Sequence, residues 1–138
     1  MDELLLEIIT PSKSAFKENV KSVTIPGTAG SFQVLHNHAP LISTFEIGLI
    51  KIQMPDGKLF YYSTSGGTVE VLDNHVLVLA ETLEHVEQID IVRAESALQR
   101  AKERLGNKDS KEIDTVRAEL AMARAINRIQ IAEKYKKM

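Results

Sequence analysis

The spacing of apolar residues changes once along this 138-residue chain, near residue 88, and the change divides the sequence into two parts. Before it, apolar residues alternate with polar ones or form short runs that end at Gly or Pro. After it, they recur at spacings of three and four, which is the period of an α-helix. No stretch before the change is long and periodic enough for a crossover helix, which disfavours a parallel α/β sheet.

The first part is predicted to form strands. Short runs punctuated by Gly and Pro every 8–12 residues are typical of an antiparallel sandwich or barrel. The predicted strands are 4–9, 20–25, 47–54, 59–63, 68–72 and 76–80. Pro55-Asp56-Gly57 and Asp73-Asn74 are predicted turns. Ser65-Gly66-Gly67 precedes a strand rather than a helix, so a structural turn or bulge is favoured over a phosphate-binding loop.

The second part is predicted to form two helices. The apolar stripes of these helices are Ile91, Ala94, Leu98, Ala101 and Leu105 in the first, and Thr115, Ala118, Met122, Ala125 and Ile129 in the second. Gly106-Asn107 is a C-terminal signal for the first helix, and Asp109 has capping-box spacing to Glu112 at the start of the second. The short connection predicts an antiparallel hairpin with an alanine-rich seam. Such a seam buries little apolar area, which fits either a movable element or an ordinary docked hairpin.

The two predicted helices repeat each other. Residues 89–105 and 113–129 share ten of seventeen identities at an offset of 24. The identities include the arginine pairs Arg93/Arg117, Arg100/Arg124 and Arg104/Arg128. Duplication and convergence both remain open, because helices rich in Ala, Glu and Arg resemble one another.

The distribution of charged residues also indicates a boundary between two parts of the chain near residue 88. Residues 1–88 carry five Lys, no Arg and eleven acidic residues, a net charge of −6, whereas residues 89–138 carry twelve basic and eight acidic residues, a net charge of +4. The predicted architecture is therefore α+β: an antiparallel β-sandwich domain at 1–88, then an antiparallel two-helix hairpin at 89–138. An acidic N-terminus and the lack of a long apolar run favour a soluble intracellular chain.

Hydrolytic catalysis finds little support in the motifs. The chain has no cysteine, no Gly-x-Ser-x-Gly and no His-Glu-x-x-His, and these are the usual signatures of nucleophilic or zinc-dependent hydrolysis. His36 and His38 would share a face of an extended segment, but no third ligand is evident beside them, so no metal site is predicted.

The arginines offer two interpretations. Arg93, Arg100 and Arg104 lie on one flank of the first helix beside its seam, and the second helix repeats this arrangement. They form either a solvated face with local ion pairs or a surface that binds phosphate or acidic protein groups. Nucleic acid is disfavoured, because the chain is acidic overall and has no aromatic stacking platform.

Several segments resemble the epsilon subunit of F-type ATP synthases. Residues 23–50, with Pro26-Gly27 and His38-Ala39-Pro40-Leu41, look like the family's signature loop and strands. Ser65-Gly66-Gly67 with the following Thr-Val-Glu-Val, and Ile89-Asp90 with Arg93-Ala94, look like two further family motifs. Ser31 and Gln33 depart from the family, which usually has Glu and Gly in a loop that lies near the membrane ring in relatives.

The resemblance implies a non-catalytic rotor subunit. Its sandwich would bind the gamma subunit and the c-ring, and its hairpin would fold back or extend into the alpha/beta hexamer and block ATP hydrolysis. It would act peripherally, on the cytoplasmic face of a bacterial inner membrane or the stromal face of a thylakoid.

The resemblance also implies regulatory ATP binding, with no required cofactor. The matching positions are Asp90, Arg93 and Ala94, with Glu84, Arg100, Arg124 and Arg128 as further candidates. A free-standing nucleotide-sensing module is the alternative, and a hydrolase built on a β-sandwich ranks last.

Overall fold

The computed structural model describes residues 2–107 and 112–137, with the side chains of residues 112 and 113 left out. The chain divides into two compact units, Met1–His85 and Val86–Met138. Within the described residues, the first unit contains strands only: β1 (Leu4–Thr10), β2 (Lys13–Val20), β3 (Ser22–Gly27), β4 (Gly30–Leu35), β5 (Leu41–Gln53), β6 (Leu59–Leu72), β7 (His75–Ala80) and β8 (Leu83–His85). The second contains a 3₁₀ turn (Val86–Gln88), α1 (Ile91–Leu105) and α2 (Glu112–Tyr135). The predicted class, a β-sandwich followed by a two-helix hairpin, is confirmed.

The strands of the first unit are hydrogen-bonded in the order β2-β1-β7-β6-β5-β3-β4, and β8 pairs with β6. Neighbours are antiparallel with one exception: β1 and β7 run parallel, with Leu6 opposite Val76 and Ile8 opposite Val78. The prediction of antiparallel pairing is therefore correct except at this pair. A parallel pair is possible here because a long stretch of chain separates β1 from β7, whereas a tight hairpin joins only antiparallel strands.

The alternation of apolar and polar residues along each strand determines which side chains form the core of the sandwich. In β1, Leu4, Leu6 and Ile8 are fully buried, and in β7 Val76 and Val78 are fully buried. Alternate side chains of a strand point to opposite faces, so these residues share the inner face of the sandwich. The core is built mainly from branched aliphatic side chains, which suit a pleated surface.

One predicted boundary within the sandwich is wrong. The strands expected at 59–63 and 68–72 are a single strand, β6, and Ser65-Gly66-Gly67 lies inside it. Gly66 has φ +113°, and a Cβ at this position would lie 2.9 Å from the Phe45 carbonyl oxygen. The segment before these glycines pairs with β8 and the segment after them with β7. Glycine thus allows one long strand to change partners without interruption.

Three strands were not predicted from the sequence. The edge strand β2 carries Lys13, Lys17 and Glu18, and β8 has only three residues, so neither shows a clear apolar alternation. The third is β4, which contains both family departures. Ser31 and Gln33 were expected in a loop but pair in register with Pro26 and Thr24 of β3.

Two predicted turns are confirmed. At the first, Gly57 has φ +91° and its N–H donates to the Met54 carbonyl, while the Asp56 side chain accepts from the Lys58 N–H. At the second, Asp73 and Asn74 both have positive φ, as a two-residue hairpin turn requires.

The helices of the second unit form an antiparallel hairpin. Lys136, just after α2, donates from Nζ to the carbonyl oxygen of Ile89, just before α1, at 2.6 Å. The first helix ends where predicted, although its C-cap Gly106 has φ −79° rather than a left-handed conformation. Asp109, the predicted cap of the second helix, lies outside the described residues.

No helix within residues 2–107 and 112–137 is both long enough and apolar enough to cross a membrane.

Candidate functional site

Asp90 is the N-cap of α1. Its backbone is extended (φ −89°, ψ 104°), and its Oδ1 accepts a hydrogen bond from the Arg93 N–H at 3.1 Å. Its own carbonyl oxygen accepts from the Ala94 N–H at 3.0 Å. The bond from Arg93 satisfies one of the N–H groups that the first turn of a helix leaves without an intrahelical partner, and the bond from Ala94 is the first intrahelical hydrogen bond of α1. The carboxylate of Asp90 therefore has a structural role at the start of the hairpin, whatever else it binds.

The predicted seams are the buried faces of both helices. Ala94 and Ala118 are fully buried, and Ala101 and Ala125 are each only 2% exposed. The other seam positions described on both helices are half-buried: Ile91, Leu98, Leu105, Thr115, Met122 and Ile129. Alanine contributes one methyl group at each level, so the helix backbones can approach closely.

The two seams are built from equivalent positions of the repeat. Ala94 is equivalent to Ala118 and Ala101 to Ala125, and all four are buried. Because the helices are antiparallel and present equivalent faces to each other, they are related by an approximate two-fold axis perpendicular to the plane that contains them.

This symmetry places the two arginine rows on the same face of the hairpin. A two-fold axis perpendicular to an antiparallel pair maps the front of one helix onto the front of the other. The rows are Arg93, Arg100 and Arg104 on α1 and Arg117, Arg124 and Arg128 on α2. Five of these side chains are exposed and Arg128 is half-buried. The result is a basic face, which we call the arginine face.

The candidate arginines are divided between the two helices of the hairpin. Arg93 and Arg100 belong to α1, and Arg124 and Arg128 belong to α2. Ala94 is fully buried in the seam, so in the closed hairpin its side chain packs against α2 instead of facing solvent. Glu84 belongs to the first unit, where it is half-buried in β8 opposite Ser63.

Guanidinium groups at this spacing are suited to anions. Each presents a planar set of donors that matches a phosphate or a carboxylate in a bidentate manner. Within the described part of the chain, no group of three or more His, Asp or Glu is arranged to hold a metal ion. Of the two histidines considered as ligands, His36 has Nδ1 3.9 Å from Asp2 Oδ1, and His38 has Nδ1 2.7 Å from the Ala39 carbonyl oxygen.

The structure also shows an aromatic cluster that sequence reasoning missed. The Tyr62 ring packs edge-on against His85 at 5.1 Å and against Phe16 at 6.5 Å between centroids. Burial raises the pKa of the Tyr62 hydroxyl above 10.0, and the nearby charge of Glu18 raises it further. Since β8 was not predicted, no signal pointed to His85 as its partner.

A second omission concerns the ends of the hairpin. Beside the Lys136 contact, the backbone N–H of Lys137 donates to Glu87 Oε1 at 3.1 Å. The sequence does contain a signal for these contacts, namely the two lysines that follow α2. In an antiparallel hairpin they come close to the residues that precede α1.

Comparisons with known proteins match both units. Residues 3–86 match the family model of the ATP synthase delta/epsilon chain beta-sandwich domain, and residues 87–133 match that of its long alpha-helix domain. The chain is similar to the ATP synthase epsilon chain of Pelotomaculum thermopropionicum, with 50% identity over 75% of this chain and 76% of that protein. It is also similar to the epsilon chain of Desulforamulus reducens, with 45% identity over 93% and 96%.

A solved structure shares the fold. It is a chain of the Euglena gracilis mitochondrial ATP synthase, in a structure of its OSCP/F1/c-ring assembly. The TM-score is 0.83 at 21% identity, covering 98% of this chain and 83% of that one.

Proposed function

Since the chain belongs to the family of ATP synthase delta/epsilon chains, we propose that it is a non-catalytic central-stalk subunit of a proton-translocating F-type ATP synthase. The observation that carries the proposal is the match of both family domains in chain order, over 3–86 and 87–133. Epsilon chains at 45–50% identity support it. The subunit transmits rotation between the c-ring and the catalytic head.

The partners follow from the same relationship. The sandwich binds the gamma subunit and rests on the c-ring, and the hairpin faces the alpha/beta hexamer. The structural neighbour from Euglena gracilis is part of an F1/c-ring assembly, which supports these partners. The protein is then peripheral to the membrane, on the cytoplasmic face in a bacterium or the stromal face in a plastid.

Inhibition of ATP hydrolysis is assigned to the hairpin. Residues 89–138 carry all six arginines and a net charge of +4, whereas residues 1–88 carry −6. The arginine face is therefore the part of the chain best suited to acidic surfaces of a catalytic head. In its extended state the hairpin enters the hexamer and blocks hydrolysis.

Regulatory ATP is assigned to the folded hairpin. Arg93, Arg100, Arg124 and Arg128 would bind the phosphates, because the closed antiparallel hairpin presents guanidinium groups of both helices on one face. ATP would thereby favour the closed state through its differential affinity. Asp90 would hold the first turn of α1 in place.

Deletion of residues 89–138 tests the proposal. The expected result is a complex that still contains the sandwich and hydrolyses ATP faster than the complex with the full chain. Residues 1–88 hold the whole aliphatic core of the first unit, so the truncated chain should unfold cooperatively.

Two controls make the result decisive. The subunit content of each complex is measured, so that loss of binding is not mistaken for loss of inhibition. Unchanged hydrolysis by a complex that contains the truncated chain would refute the inhibitory role. A full-length chain that never co-purifies with a membrane-bound ATPase would instead favour a free-standing nucleotide-sensing module.

A further inference from the structure

The end of α2 is attached to the residues that precede α1 by two separate hydrogen bonds. The Lys136 ammonium donates to the Ile89 carbonyl oxygen at 2.6 Å, and the Lys137 N–H donates to Glu87 Oε1 at 3.1 Å. The Lys136 N–H still donates to the Ala132 carbonyl at 3.0 Å, so the chain is helical up to this point. These contacts join residues 47 and 50 positions apart in the sequence.

The alanines of the seam alone do not strongly fix the register of the hairpin, which is the choice of which residues of α1 lie beside which residues of α2. The buried alanines recur every seven residues, at 94 and 101 on α1 and at 118, 125 and 132 on α2. A shift of one helix by seven residues would again place alanine against alanine. The alanine methyl groups are alike and bury little area, so these fully buried positions favour one register over another only modestly. A directional hydrogen bond to a single partner fixes the register that the alanines leave undefined.

We propose that Lys136 is the latch of the hairpin: its ammonium holds the end of α2 on Ile89 and thereby sets the balance between closed and open hairpin. The proposal deepens the regulatory role given to the hairpin above and rests on that role. The Lys137 contact with Glu87 is a backbone bond that assists the latch. Opening of the hairpin must break both contacts, because they join the two ends that move apart.

The position of Lys136 suits a charged latch. Its side chain is half-buried, and Ile89 and Ala132, whose carbonyl oxygens accept hydrogen bonds from Lys136, are almost fully buried, so water competes less for the bond. A cation is also favoured at the C-terminal end of a helix. A charge-assisted hydrogen bond of this kind corresponds to roughly tenfold or more in an equilibrium constant. Neutralising the amine should therefore raise the open population by about that factor.

The experiment uses thiol labelling of the full chain. Because the chain has no native cysteine, Ala125→Cys introduces a single reporter at a seam position that is 2% exposed. The labelling rate then reports how often the seam opens. Lys136→Met removes the latch charge, and Lys136→Arg keeps a charged donor. Lys137→Met is the matched control, since it removes an equal charge from an exposed neighbour whose contact uses only its backbone N–H.

The latch predicts different rates for these variants. Lys136→Met should label about tenfold faster or more than the parent, whereas Lys136→Arg and Lys137→Met should stay within about threefold. Equal rates for Lys136→Met and Lys137→Met would overturn the latch, whether both rise or neither does. Labelling is measured on the free chain without ATP or other subunits. A failed latch is therefore distinct from a failed inhibitory role, which the hydrolysis assay judges.

Discussion

The alanine seam can be tested by overfilling it at its centre. Ala101 and Ala125 are equivalent positions of the repeat, and each is only 2% exposed. Ala125→Leu adds three carbon atoms at a seam position that is already almost fully buried. The helices must then move apart or the leucine must adopt a strained rotamer.

The size of the effect follows from packing. Inserting methylene groups into a well-packed interior costs about 1–3 kcal/mol, which changes the ratio of closed to open hairpin by roughly 5- to 150-fold. For a small folded unit each kcal/mol lowers the unfolding midpoint by about 4–8 °C. A loss of at least about 4 °C in the helical transition is therefore expected. The sandwich should be unaffected, because its core contains no residue of the seam.

Circular dichroism at a helical wavelength follows the transition, and Ala123→Leu serves as the matched control. Ala123 lies on the same helix, two residues away, and its side chain is exposed. Both variants exchange the same residue types with nearly equal helix propensity, so only the position differs. The control should shift the midpoint by less than about 2 °C.

The same variant has a functional consequence. If the extended hairpin is the inhibitory state, Ala125→Leu should inhibit ATP hydrolysis by the assembled complex more strongly than Ala123→Leu does. Equal midpoints for Ala125→Leu and Ala123→Leu would show that the two helices do not meet at Ala125, and the deduced symmetry of the hairpin would be wrong.

Two further predictions concern ligand binding and pH. Arg93→Ala should weaken ATP binding about tenfold or more in calorimetry, whereas Arg117→Ala, its equivalent in the repeat, should change it little; no heat from the unaltered chain at millimolar ATP would remove the sensing role. The raised pKa of Tyr62 means that the folded sandwich retains this proton more tightly than the unfolded chain, so stability should fall as pH rises above 10.0. Tyr62→Phe should remove that part of the loss in denaturant titrations, and an unchanged pH slope would contradict the shift.

The hairpin could be predicted in detail because its signals are local. Helical periodicity, a Gly-Asn pair at the end of α1 and the alanine stripes depend on residues near one another in sequence. The alternating spacing of Ala94, Leu98 and Ala101 identified the inner face of α1 before any partner was known. The 24-residue repeat carried further information, since it implies the symmetry that places both arginine rows on one face.

The sandwich was less predictable because its pairing is long-range. The parallel contact of β1 with β7 joins residues about 70 positions apart, and no local pattern encodes it. Gly66 and Gly67 were interpreted as a break because glycine usually ends a strand, yet here it lets β6 continue. Edge strands such as β2 carry charged residues that protect them from aggregation, and these residues obscure the alternation.

The candidate site was predicted as a set of residues but not as an arrangement. Asp90 and Arg93 were identified by their motif, and their spacing is that of a cap and the N–H it accepts from. The contact between Lys136 and Ile89 depends on where the second helix ends in space, which composition and spacing leave undefined. Electrostatic contacts between the ends of a hairpin emerge only after the hairpin has been assembled.

The two units differ in how much apolar burial stabilises them, and this difference decides which one can change state at a small cost in free energy. The sandwich core contains many fully buried Leu, Ile and Val side chains, each worth about 1.5–3 kcal/mol. Each fully buried alanine of the hairpin contributes one methyl group, worth about 0.8 kcal/mol. A few kcal/mol from a bound nucleotide or a lysine–carbonyl bond can therefore shift the hairpin between states, whereas the same energy would leave the sandwich folded. Regulation by a ligand or a single charge is thus physically accessible to the hairpin, and the sandwich is suited to be the constant part that stays attached to its partners.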